Sequence, residues 1–116
     1  MVSRPEAPER PVVSEVHTTS CVVSYQPPRR DGGAPVTGYI LERRTPGTIW
    51  RLWFSKWIRV NDTPVTDLQY TIGNLTAATE YEFRVAAVNK KGISDFSQMS
   101  PKITTAGQTE YPGFTR

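Results

Sequence analysis

His17 is the only histidine in this sequence of 116 residues, and Cys21 is the only cysteine. An imidazole can move protons and a thiolate can attack carbon, but each needs a partner group held beside it. No second histidine or cysteine accompanies either, so a zinc site is not expected. Cys21 alternates in phase with Val23 and Tyr25 in Ser20-Cys21-Val22-Val23-Ser24-Tyr25, which reads as a small buried hydrophobe, not a reactive thiol. Asp31-Gly32-Gly33 is glycine-rich, yet it opens a strand where a phosphate loop would open a helix. The carboxylates are scattered without a paired arrangement. No enzyme activity, cofactor, metal or small-molecule substrate is expected.

Recognition is the chemistry that the residue types do allow. Ile49-Trp50-Arg51-Leu52-Trp53-Phe54-Ser55-Lys56-Trp57-Ile58 places all three tryptophans within eight residues. Trp and Arg dominate protein-binding hot spots because they bury much area at low rotamer cost. Trp50, Arg51, Leu52, Trp53 and Phe54 are therefore the candidate protein contacts. Three readings of the segment are open. Its rings cover a sheet edge or cap the core; or they protrude as anchors for another protein; or Ile49, Trp50, Trp53, Phe54, Trp57 and Ile58 form one stripe of a short basic helix suited to a membrane surface or a peptide-binding groove. Ten residues make a marginal helix, and the flanking strand patterns argue against the third. Arg29, Arg30, Lys90 and Lys91 form a second candidate, a basic rim.

The elements that must position these residues are strands. Tyr81, Phe83, Val85 and Ala87 repeat every second residue, with Glu82 and Arg84 between them, the alternation of a strand with one dry face. Leu75 and Tyr81 flank the corner before it, where a tyrosine can bury its ring and send its hydroxyl back to a loop backbone. Strand A is expected at Val12, Val13 and Val16. Strand B runs through Cys21, Val23 and Tyr25 to the stop at Pro27-Pro28, and strand C from near Val36 to Arg44. After a type II turn at Pro46-Gly47, another strand lies between Ile49 and Val60. Strand E covers Thr66 to Ile72, with Leu68, Tyr70 and Ile72 in phase. Strand F covers Glu80 to Asn89, and strand G runs near Met99 to Thr105. Short strands punctuated by turns, with no helix-length apolar pattern, predict an all-β sandwich. An apolar content of 37% suffices for one core, and a chain of this length buries roughly 60–70% of its unfolded surface without disulfide or metal.

Pro27-Pro28, Gly38-Tyr39, Leu75, Tyr81, Asn89, Gly92, Ser94 and Ser97 stand in the order used by the fibronectin type III family, which the chain resembles from about Pro8 to Thr105. Gly32-Gly33-Ala34-Pro35-Val36-Thr37-Gly38-Tyr39-Ile40-Leu41-Glu42-Arg43-Arg44, Trp57-Ile58-Arg59-Val60-Asn61-Asp62-Thr63-Pro64-Val65 and Phe83-Arg84-Val85-Ala86-Ala87-Val88-Asn89 resemble the modules of intracellular muscle proteins: titin, twitchin and the myosin-binding proteins. The resemblance implies a seven-stranded immunoglobulin-like sandwich with an enlarged C–C′ connection. It also implies domain bounds of 8–106, with a lead-in over 1–7 and a tail over 107–116. In such a fold the B–C and F–G turns share one end, which would gather the basic rim. Two departures stand out. Tyr25 replaces the usual tryptophan before the prolines, so its hydroxyl needs a partner if buried. Trp50 and Trp57 compete for the single tryptophan that opens the strand after C, and about seven residues are extra.

The expected function is a non-enzymatic protein-interaction and spacer module of a multidomain, sarcomeric muscle protein. The resemblance implies other proteins as partners: myosin or other filament proteins, and neighbouring domains of the same chain. A net charge of +3 with basic pairs interrupted by acids does not make a nucleic-acid footprint. No apolar run approaches a membrane span, and no secretory leader is visible behind Met1. A lone thiol fits a reducing, cytoplasmic setting, the sarcomere or cytoskeleton. Asn61-Asp62-Thr63 and Asn74-Leu75-Thr76 are glycosylation sequons, and they keep open an extracellular receptor or adhesion module.

Overall fold

The computed structural model describes residues 1–46 and 56–107. Eight strands appear in order: β1 (Val12–Ser14), β2 (Cys21–Ser24), β3 (Gly38–Arg44), β4 (Ile58–Arg59), β5 (Gln69–Ile72), β6 (Glu80–Asn89), β7 (Gly92–Ile93) and β8 (Ile103–Thr104). One sheet has the order β1-β2-β5; the other has the order β4-β3-β6-β7, with β8 also pairing β6, and every pairing is antiparallel. The long β3–β6 ladder runs from Gly38↔Val88 to Arg44↔Glu82. Its alternation sends Tyr39, Leu41, Phe83, Val85 and Ala87 inward onto Cys21, Val23, Tyr25 and Ile72 from the facing sheet. Period-two patterning thus builds one dry layer between two sheets.

The corner expected at Leu75–Tyr81 is formed. The Tyr81 ring is buried and its hydroxyl accepts the Thr76 N–H at 2.8 Å. Tyr25 fills the place of the larger indole by tilting against Tyr39, with ring centroids 4.9 Å apart. Its hydroxyl donates to the Asp67 carbonyl at 2.7 Å, so the polar atom that this substitution brings inside is satisfied. Burial, followed by the neighbouring Tyr39, Asp67 and Tyr70, pushes the Tyr25 phenol well above its ordinary range.

Three strands differ from their expected extent. Val16 packs on the core beyond the end of β1. Leu68, expected in phase with Tyr70 and Ile72, is 42% exposed; it precedes β5, and its carbonyl accepts the Tyr25 N–H at 3.0 Å. Strand G is two short pieces, β7 and β8, because serines take over the ladder between them. The N–H groups of Ser94, Ser97 and Ser100 donate to the carbonyls of Ala87, Val85 and Phe83 at 2.8, 2.8 and 2.7 Å. Their Oγ atoms accept the N–H groups of the same three residues at 2.9, 3.1 and 3.0 Å. Three residues of this run advance along two of β6, so it is more tightly coiled than a strand, and each hydroxyl stands in for a backbone carbonyl.

Residues 1–7, read from sequence as a lead-in, lie against the domain. The Ser3 and Glu6 N–H groups donate to the carbonyls of Gly32 and Arg30 at 2.8 and 3.0 Å. The expected Pro46-Gly47 turn reaches into residues outside those described, and the 107–116 tail lies outside them from residue 108 onward.

Candidate interaction site

Trp50, Arg51, Leu52, Trp53 and Phe54 lie outside the described residues. The structure does describe where their segment leaves and rejoins the sandwich, at Arg44–Pro46 and Lys56–Trp57. Trp57 immediately precedes β4, and it is not a core residue. It is half-buried on the outer side of the β3–β6 ladder, where the guanidinium carbons of Arg44 and Arg84 lie 4.5 and 4.3 Å from its ring centroid. Of the two tryptophans that compete for the position after strand C, Trp57 does not fill the core, and Trp50 lies outside the described residues. The even-numbered residues of β3 and β6 face outward, and they offer two cationic planes that an indole covers well. Phe96 adds a second ring, 4.1 Å from the Arg84 guanidinium.

Cross-strand ion pairs hold this stack. Arg44 and Glu82 are register partners joined at 2.7 Å, and Glu42 and Arg84 are register partners joined at 2.6 Å. Directly opposite charges on one sheet face are the favourable arrangement, and Glu82 is largely screened from water, its side chain 6% exposed. Four charges of the outer face therefore cancel in register, and one indole covers the two arginines among them. An open groove of about 430 Å³ beside Trp57 and Arg84 is lined further by Arg10, Gln98 and Met99.

Asn61 fixes the chain that returns from the aromatic segment. It is 5% exposed, and its Oδ1 accepts the Leu41 N–H at 2.9 Å. Its Nδ2 donates to the carbonyls of Tyr39 and Thr63 at 3.0 and 2.8 Å. The side chain so replaces a missing strand partner along β3, and the Tyr39–Val65 bridge continues the cover. Close approach here requires Gly38, since a Cβ at that position would sit 2.5 Å from Pro64 Cβ. The nitrogen to which a glycan would attach is thus buried and committed in the Asn61 sequon, while Asn74 is exposed.

The loop and the turn that carry the basic-rim candidates meet at Asn89. Its Nδ2 donates to the Asp31 carbonyl at 2.7 Å, which joins the β2–β3 loop to the β6–β7 turn carrying Lys90 and Lys91. Arg29 is committed to Glu9 at 3.0 Å. Arg30, Lys90 and Lys91 are exposed and form no ion pair among the described residues. Cys21 is fully buried and burial pushes its thiol up to about 11, so it supplies no nucleophile at neutral pH. His17 is exposed, its backbone N–H bonded to the Ser20 carbonyl at 2.8 Å. Among the described residues no group of three or more His, Cys, Asp or Glu converges to hold a metal.

The family model described as "Fibronectin type III domain" matches residues 6–103. The chain belongs to the fibronectin type III family. Cardiac-type myosin-binding protein C from Rattus norvegicus is 35% identical over 112 residues, covering 97% of this chain and 8% of the relative. The slow-type protein from Homo sapiens is 31% identical over 112 residues, covering 97% of this chain and 9% of the relative. Among solved structures, a titin domain fragment superposes with a TM-score of 0.79 at 33% identity, covering 89% of this chain and 32% of that one. The twitchin kinase region from C. elegans gives 0.77 at 28% identity, covering 94% of this chain and 18% of that one. This fibronectin type III domain is thus homologous to modules of muscle proteins, and it spans less than a tenth of the curated relatives' length.

The sequence pattern did not point to the outer-face stack. Its signal was present in the Glu-Arg alternation at 42–44 and 82–84, which places opposite charges in register once strands C and F are paired.

Proposed function

We propose that this fibronectin type III domain is a non-enzymatic contact and spacer module of a multidomain muscle protein, acting inside the cell in the sarcomere. The observation that carries this reading is the coverage: 97% of the chain corresponds to 8% of a far longer muscle relative, as one unit in a series would. The sandwich suits the role. Its long β3–β6 ladder and bonded tyrosine corner hold the two ends at a fixed separation, and its loops remain for docking. The relative's name describes myosin binding, and myosin or another filament protein is the partner class proposed here. The contact is assigned to Trp50, Arg51, Leu52, Trp53 and Phe54, with Arg30, Lys90 and Lys91 at the opposite end as a seat for acidic surfaces.

Co-sedimentation of the domain with purified myosin filaments tests this. Trp53→Ala combined with Phe54→Ala should abolish capture while leaving the unfolding free energy nearly unchanged. A destabilisation of about 3 kcal/mol or more, the cost of truncating packed rings, would show that these side chains are core and remove them as contacts. Wild-type protein that stays in the supernatant at low salt would count against a myosin partner.

A further inference from the structure

We infer that residues 1–11 are a fixed coupling strap, closed over the β2–β3 loop and the β6–β7 turn, and not a flexible linker. Pro5, Pro8 and Pro11 are all buried, a spacing of three that matches the turn of a polyproline helix laid with one side on the domain. Ser3 and Glu6, also three apart, donate their N–H groups to the carbonyls of Gly32 and Arg30. Three strap residues advance along two of the loop, as in the serine run beside β6.

Five further contacts close the strap. Asn89, 3% exposed, uses one Nδ2 to reach the carbonyls of Ser3 at 2.8 Å and Asp31 at 2.7 Å, and so ties strap, loop and turn at a single atom. Arg4 donates to the Ile93 carbonyl at 3.0 Å and pairs with Asp95 at 3.2 Å. Arg10 donates to Gln98 at 2.6 Å, and Glu9 accepts from Arg29. Gly32 lies beneath the strap with φ +79, and a Cβ there would overlap the Ser3 carbonyl oxygen. A backbone in the left-handed region with no space above it accepts only glycine.

A linker leaves its backbone to water and its rotation free. This segment commits two backbone N–H groups, its three prolines and two arginines to one surface. Any residue joined ahead of Ser3 therefore leaves the domain at a set bearing, and rotation at this joint must occur before Ser3. The use of that stiffness in holding neighbours apart rests on the spacer reading above; the strap itself is a property of this chain alone.

Backbone 15N relaxation on the whole chain tests it. Ser3, Arg4 and Glu6 should show order parameters of about 0.8 or above, close to those of β6, where a mobile segment falls below about 0.6. Asn89→Ala and Gly32→Ala should lower the strap values below about 0.6 while the β3 and β6 amides stay unchanged. Cleavage by a glutamate-specific protease after Glu6 and Glu9 should then accelerate at least tenfold. Wild-type values already below about 0.6 overturn the proposal, and no variant is needed to obtain them. Variants that fold and keep a rigid strap overturn the latch assigned to Asn89 and Gly32. No partner enters the measurement, so a mobile strap leaves filament docking standing, and failed docking with a rigid strap leaves the coupling standing.

Discussion

Replacing Asn61 by alanine tests how the sandwich anchors the chain returning from its aromatic segment. The amide makes three hydrogen bonds, to Leu41 N–H, Tyr39 C=O and Thr63 C=O. Their losses are unequal. Tyr39 C=O keeps the Val65 N–H at 2.9 Å, and Thr63 is exposed to water. The Leu41 N–H belongs to a residue that is 0% exposed, so it has no route to a substitute. Orphaning such a donor costs about 1–3 kcal/mol, and each bond whose partner is re-solvated costs about 0.5–1.5 kcal/mol. With Leu41 orphaned and Thr63 re-solvated, the expected sum is about 1.5–4.5 kcal/mol, read as a fall in urea midpoint at unchanged m-value. Faster hydrogen exchange at Leu41 should accompany it. Asn61→Asp sharpens the test, since a carboxylate still accepts from Leu41 but points a charge at two carbonyls. Its stability should rise on acidification, because a protonated carboxyl donates again to one of them. An Asn61→Ala loss under about 0.5 kcal/mol, or an Asn61→Asp variant insensitive to acid, would refute the account of this side chain as a strand substitute.

Trp57→Ala should cost about 1–3 kcal/mol in chemical denaturation, the sum of two cation–π contacts and the lost cover, with Trp57→Phe recovering part of it. Ser97→Ala leaves the buried Val85 N–H without its Oγ acceptor, and should cost about 1–3 kcal/mol with faster exchange at the Val85 amide. Cys21 gives a pH signature. Its thiol is raised from 9.0 to about 11 by burial, so the unfolded chain loses that proton first. Its contribution is complete below pH about 9 and is lost as pH rises toward about 11, amounting to roughly 2–3 kcal/mol. Wild type should weaken over that window by more than Cys21→Ala does, and equal slopes in the two proteins would sink the assignment.

Strand alternation was legible wherever one face is dry and the other wet. Tyr81, Phe83, Val85 and Ala87 show it directly, and the tyrosine corner followed from Leu75 and Tyr81. The same rule failed at Leu68, since alternation cannot tell where a strand stops; Leu68 lies before β5 begins, its carbonyl already taken by the Tyr25 N–H. The serine run was hidden for a different reason. Its spacing of three matches neither period-two strand nor helix, and small polar residues read as loop until β6 is set beside them. Trp57 shows a third limit. Residue type left Trp50 and Trp57 competing for one position, and the neighbours that place Trp57, Arg44 and Arg84, come from two strands whose register is a tertiary fact. The proline-rich start read as a lead-in because proline marks free and docked segments alike, and only the burial of a proline at every third residue separates the two.

The outer face also bears on where a spacer can be sticky. Buried Ile40 and Ala86 lie on the outward side of β3 and β6, a position where apolar residues invite neighbours to adhere. Here the flanking positions carry Glu42 with Arg84 and Arg44 with Glu82, four charges that cancel in register. Trp57 spends its ring on the two arginines of that lattice. These four groups are already bonded to one another, so displacing them costs what a new partner would return, and Arg59, the register partner of Glu42, adds one exposed cation on the same side. The proposed contacts lie off this flank: the aromatic segment between Arg44 and Lys56, and the cations carried by the β2–β3 loop and the β6–β7 turn. On the proposed reading, such a module would bind where its loops are presented and not through this flank.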